Sequence, residues 1–69
     1  MEQKIYVEGL GSTEDEQKTA SAVLSVQGVS HCVVSYEKAQ VFVTYDEKIP
    51  DIEHAIRNAI QLCGFDVLG

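Results

Sequence analysis

Val7-Glu8-Gly9-Leu10-Gly11-Ser12-Thr13-Glu14-Asp15 reads as a strand end, a loop of small residues and a helix start. On the strand side, Lys4-Ile5-Tyr6-Val7-Glu8 alternates, so Ile5 and Val7 face the core and Tyr6 faces the other way. On the helix side, Ser12 is placed to accept a hydrogen bond from a first-turn amide. The acid three positions on, Asp15, is placed to reach back to the cap, as in a capping box. Glu14, Asp15 and Glu16 bring negative charge to the positive end of the helix dipole.

Outward from that stretch, the helix runs to about Val26, with Thr19, Ala22, Val23 and Val26 forming one stripe, and Gln27-Gly28 stops it. Val29 to Tyr36 reads as strand two, with Cys32, Val34 and Tyr36 on one face and His31, Val33 and Ser35 on the other. Glu37-Lys38 is a tight hairpin. Ala39 to Tyr45 is strand three, with Val41, Val43 and Tyr45 inward and Gln40, Phe42 and Thr44 outward. Pro50 suits the first turn of a second helix, whose stripe is Ile52, Ala55, Ile56, Ala59 and Ile60 and which ends at Gly64. Phe65 to Leu68 is a short last strand, with Phe65 and Val67 inward. The element order is βαββαβ. With right-handed crossovers this predicts an α+β, ferredoxin-like fold: four antiparallel strands in the order 4-1-3-2, both helices on one face, one domain over residues 1–69.

Composition narrows the function classes. Eleven acidic and five basic residues give a net charge of -6, which argues against a nucleic-acid surface. No apolar run approaches the roughly 20 residues that span a bilayer. A strand pattern follows directly on Met1-Glu2-Gln3, leaving no signal-peptide hydrophobic region, so the cytoplasm is the expected compartment. The two cysteines, Cys32 and Cys63, are too few for a disulfide scaffold.

The placed elements resemble the heavy-metal-associated domain family, the module of copper chaperones and of the N-terminal regions of copper-transporting ATPases. Val7-Glu8-Gly9-Leu10 matches the family's strand end, with Leu10 for its methionine. Gly28-Val29 matches the opening of strand two. Val41-x-Val43-x-Tyr45-Asp46 fits strand three, and Ala59-Ile60-x-x-x-Gly64-Phe65 fits the end of helix two. In that family the first loop carries a Cys-x-x-Cys pair. Here the two ligand positions fall on Ser12 and Asp15, and Gly11 replaces the threonine. Soft thiolates suit copper(I), whereas a hydroxyl and a carboxylate are hard donors. The fold implied by the resemblance survives that change; metal transfer through the loop does not, and no cofactor is expected.

Each remaining candidate has two readings. Ser12 and Asp15 are an altered metal site or simply a helix cap, and the cap accounts for both fully. The topology places Cys63 and Phe65 near Ser12. A thiolate at Cys63 with Asp15 is the alternative ligand set for copper or zinc, in a dimer if necessary; the other reading is a small buried residue. Cys32 reads as core packing. His31 and His54 lie toward the opposite end of the domain, remote from Ser12, so no nucleophilic triad assembles and no enzyme is expected. An acylphosphatase of the same topology would need an anion-holding arginine near the first loop, and the only arginine, Arg57, lies in helix two.

The open face of the sheet carries Tyr6, Val33 and Phe42, with Leu68 on the last strand, where alternation normally leaves polar residues. Tyr6 and Phe42 are expected as a cross-strand aromatic pair. The patch also suggests an interface for a homodimer or a covering partner. The expectation is therefore a small binding module working by protein contact in metal homeostasis or its regulation.

Overall fold

The computed structural model describes residues 1–68. The chain folds as β1 (Glu2–Glu8), α1 (Thr13–Leu24), β2 (Val29–Ser35), β3 (Gln40–Tyr45), α2 (Ile52–Leu62) and β4 (Asp66–Leu68). The strands form one sheet in the order β2-β3-β1-β4, with every neighbouring pair antiparallel. This is the expected ferredoxin-like arrangement, read from the other edge.

Alternation in the strands and the helical stripes meet in a single core. Ile5 and Val7 of β1, and Val41, Val43 and Tyr45 of β3, face inward. Thr19 and Val23 come from α1, Ile52, Ile56 and Ile60 from α2, and Phe65 from the turn before β4. Cys32, Val34 and Val67 pack around this cluster, half-buried. Strand period and helix period therefore agree on one buried face.

The boundaries differ from the sequence expectation in four places. The first helix ends at Leu24 rather than at Val26. Ser25 donates its hydroxyl hydrogen to the carbonyl of Ala22 and its amide to Ser21, and Val26 folds under in a turn to reach the core. The β2–β3 connection is a four-residue turn, Tyr36 to Ala39, rather than a two-residue hairpin at Glu37-Lys38. A two-residue turn wants positive φ at two positions, which Glu and Lys resist. The longer turn needs it only at Ala39, at φ 53. Pro50 lies outside the second helix, because Asp51 takes a left-handed conformation at φ 59 and the helix begins at Ile52. Phe65 precedes β4 and packs inward from the turn.

Gly28 is fixed by close approach. It sits at φ +98, and a Cβ there would overlap the Ile49 side chain and lie 2.8 Å from Ile52 Cδ1. Its carbonyl accepts from the Asp46 amide, so the end of the α1–β2 connection and the loop before α2 are packed as one unit.

Candidate functional site

The register assigns the loops to two ends of the sheet. Glu8 pairs with Asp66, and the Val7 amide donates to the Ala39 carbonyl. The loop between β1 and α1, the Tyr36–Ala39 turn and the turn before β4 thus share one end. At the opposite end, the amino terminus of Met1 donates to the Tyr45 carbonyl, and Asp46 leads into the loop before α2.

The first loop is closed on itself. Ser12 is the N-cap of α1, in extended backbone at φ -159, and its Oγ accepts from the Asp15 amide at 3.3 Å. Asp15 Oδ2 accepts from the Gly11 amide at 2.9 Å. This is a reciprocal cap with its return bond displaced one residue upstream, onto Gly11 instead of the cap's own amide. Glu16 Oε2 accepts from the Tyr36 amide at 2.9 Å, tying the helix start to the β2–β3 turn. Gly9 bends the chain at φ +112, and a Cβ there would sit 3.0 Å from Phe65 Cδ1. Phe65 therefore floors the loop, and the Lys18 ammonium lies 5.9 Å above its ring, a cation–π distance.

Cys63 is at this end but turns toward the helix. Its Sγ is 3.9 Å from the Lys18 carbonyl, one turn along α1 from Asp15, and the residue is half-buried against the core. As a pair, Ser12 and Asp15 do not fit a soft ion: both are oxygen donors, and each already accepts a loop amide. Among the described residues, no group of three or more His, Cys, Asp or Glu side chains is placed to hold a metal ion.

Cys32 sits on the core face of β2, opposite Val43, and burial pushes its thiol up to about 11. His31 is exposed opposite Thr44, while His54 lies on the first turn of α2 beside Tyr45 and Arg57. The two histidines do not share a site.

On the open face the register sets the side chains in rows. Leu68 is opposite Tyr6, which is opposite Gln40; Lys4 is opposite Phe42, which is opposite Val33. Tyr6 and Phe42 are accordingly diagonal cross-strand neighbours, on β1 and β3. Tyr6 is 52% exposed, Val33 64% and Leu68 48%, with Phe42 half-buried among them. Glu2, Glu8 and Asp66 edge the patch on the β1 and β4 side.

A third feature leaves no signal in the one-dimensional pattern. At the end opposite the first loop is a groove of about 400 Å³ between β3, the following loop and α2. Tyr45 is buried at its base, and its hydroxyl donates to Glu53 Oε1 at 3.0 Å. Burial, and then the adjoining Glu53, raise that phenol above its ordinary range. His54 and Arg57 are singled out in the sequence, but nothing there joins them to the other lining residues, which the fold gathers from three elements.

This sheet order, with a strand-to-helix loop at one end, is that of the ferredoxin-like fold. Residues 4–66 match the heavy-metal-associated domain model, and the chain belongs to that family. Among solved structures it is similar to a CopZ metallochaperone, at 28% identity and TM-score 0.91, with 99% of this chain and 100% of that one covered. It is also similar to a putative copper-ion-binding protein from Bacillus anthracis, at 25% identity and TM-score 0.89 over 99% of this chain and 94% of that one. A third is the yeast copper transporter domain Ccc2a, at 26% identity and TM-score 0.83 over 96% and 89%. No protein of curated function matches the sequence. No helix among the described residues is long and apolar enough to cross a membrane.

Proposed function

We propose that this chain is a non-enzymatic heavy-metal-associated module that acts in the cytoplasm by protein contact, in metal homeostasis or its regulation. The observation that carries the reading is the contrast between the loop and the sheet. At the family's two ligand positions, Ser12 and Asp15 form a self-satisfied helix cap. Meanwhile Tyr6, Val33, Phe42 and Leu68 leave an apolar patch on the open face of a domain whose core is already complete without them. Buried in an interface, such side chains would each contribute about 1–2 kcal/mol. The occupant is a second copy or a transporter or chaperone domain of the same fold. Neither nucleic acid nor membrane suits a chain with net charge -6. Light scattering of the wild type against Tyr6→Lys and Phe42→Lys tests the dimer arm, and pull-down with heavy-metal-associated domains as bait tests the other. Both variants should keep the fold and lose the complex. A wild type that stays monomeric at high concentration and binds no such domain refutes the reading.

A second reading is held by Cys63, half-buried at the loop end beside α1. There the thiolate, with Asp15, takes copper or zinc as cargo, with a second copy completing the ligand set. Titration of the reduced protein with copper(I) and zinc(II) against a competing chelator separates the two readings. Affinity no better than that of an ordinary surface thiol leaves the contact module. Tight binding that Cys63→Ser abolishes replaces it.

A further inference from the structure

We propose that the free edge of β2 is a self-association site, where a second copy of this chain adds its own β2 antiparallel and the two sheets run on as one. The surface is separate from the centre of the open face, and the inference holds whether or not that face is covered.

The two edges of the sheet are built differently. β4 closes one edge with three residues, and Asp66 puts a charge on it. β2 closes the other with seven residues, Val29 to Ser35, and has no Lys, Arg, Asp, Glu or Pro among them. Short length, charge and proline are common guards of an edge strand against pairing, and β2 lacks all three. On a chain of net charge -6, it is also a stretch on which two copies meet without opposing carboxylates.

The backbone of β2 has groups to offer. The Val7 amide donates to the Ala39 carbonyl, and the Tyr45 amide to the Met1 carbonyl. The odd-numbered residues of β3 therefore turn their backbone groups toward β1, and the even-numbered ones toward β2. Phe42 and Gln40 thus hold Val33 and Ser35, their partners in the register. Cys32 and Val34 are left with N–H and C=O directed away from the sheet. Tyr36, next in the same alternation, shows that direction: its amide reaches out to Glu16 Oε2 on α1 at 2.9 Å.

These features select one register. The Tyr36 amide is already taken, and the irregularity between Val29 and His31 removes Ser30 from the ladder. Between those limits, all outward groups close when Cys32 pairs with the second copy's Val34 and Val34 with its Cys32. That register puts Val33 on the two-fold axis, opposite itself, at the closer cross-strand spacing. Val33 is the most exposed side chain of the open-face patch. The Lys4–Phe42–Val33 row then continues through it into the same row of the second copy. On the helix face, spacing from Glu16 puts Ala20 and Leu24 on the flank of α1 nearest this edge, and Leu24 is an exposed apolar side chain that the core does not use.

Sedimentation and amide hydrogen exchange of the full chain test the proposal, over about 10 µM to 1 mM, a range that suits a small interface. The weight-average mass should climb toward that of a dimer, and exchange at Cys32 and Val34 should slow as concentration rises. Val33→Lys sets two ammonium groups face to face at the axis and should weaken the dimer roughly tenfold. Tyr6→Lys, two strands from the edge, should leave this dimer unchanged while breaking any contact made by the open face, so the two readings fail separately. A chain that is monomeric at the top of that range overturns the proposal and leaves the edge to a strand of another protein. A dimer in which Cys32 and Val34 exchange at one rate at every concentration overturns it too. So does a dimer that Tyr6→Lys dissolves and Val33→Lys does not. Should Val33→Lys fail to fold, the exchange series on the wild type decides.

Discussion

Each helix of this domain begins with a residue suited to capping, and only one of them caps. At the loop end, Ser12 stays in extended backbone, accepts the Asp15 amide, and is answered by Asp15 on Gly11. At the other end, Asp51 is forced to φ 59 and its side chain caps nothing. The difference lies in the surroundings and not in the residue type. The first loop is free to find its own geometry, because Gly9 absorbs the bend above Phe65. The loop before α2 is pinned from both sides, by Gly28 beneath Ile49 and by Pro50 immediately before Asp51. One end has therefore closed over the family's ligand positions. The other keeps Asp51 in left-handed backbone, with the solvent-buried, unpartnered Nε of Arg57 beside it on α2.

The sharpest way to break this contrast is to disturb the two glycines that set it. Gly28→Ala adds a Cβ into the Ile49 side chain at a positive φ, so strain and overpacking combine. A loss of about 3 kcal/mol is expected, a large part of the stability of so small a domain. Gly9→Ala meets Phe65 at 3.0 Å, and that ring can give by a few tenths of an ångström. About 1–2 kcal/mol is expected there. Urea unfolding of both variants gives the order directly. If Gly9→Ala proves the costlier, the loop end is the more constrained of the two.

The contrast also explains what could be read in one dimension. Element order, core face and sheet order were legible because alternation in β1 and β3 and the isoleucine stripe of α2 each point to the same buried face. The Ser12 cap was legible because S-x-x-D is a local signal and its bonds stay within four residues. The hairpin and the α2 start were misplaced, because Ala39 and Asp51 adopt positive φ without being glycine, and the local pattern does not mark either position. The diagonal setting of Tyr6 and Phe42 depends on register, which local pattern leaves open by one pleat. The groove was invisible because its walls come from β3, a loop and α2, and only the fold brings them together.

The two cysteines extend the comparison to pH. Cys32, toward the groove end of the sheet, has its thiol raised from 9.0 to about 11 by burial. A raised pKa means that folding favours the protonated form. Stability from this group is fully present below pH 9 and is lost as pH climbs through 11. The half-buried side chain keeps some contact with water, so the loss should be roughly 1–2 kcal/mol rather than the full linkage value. The Tyr45 phenol, also raised by burial and by Glu53, adds a fall of the same sign at higher pH. Thermal unfolding of Cys32→Ala against wild type isolates the thiol: the variant should start less stable, and its curve should be flatter between pH 9 and 11. Equal slopes would place the thiol in a more aqueous setting than its position opposite Val43 implies.

The smallest effect is the most direct probe of the caps themselves. Ser12→Ala removes a side-chain acceptor from the Asp15 amide and should cost about 1 kcal/mol. Asp51→Gly removes no capping bond and relieves a left-handed conformation in which glycine is at ease, so it should raise stability by about 0.5–1 kcal/mol. Opposite signs from two substitutions at the same formal helix position would establish that Asp51 is kept against stability. Were Asp51→Gly destabilising, the aspartate would be supporting the loop in spite of its left-handed backbone.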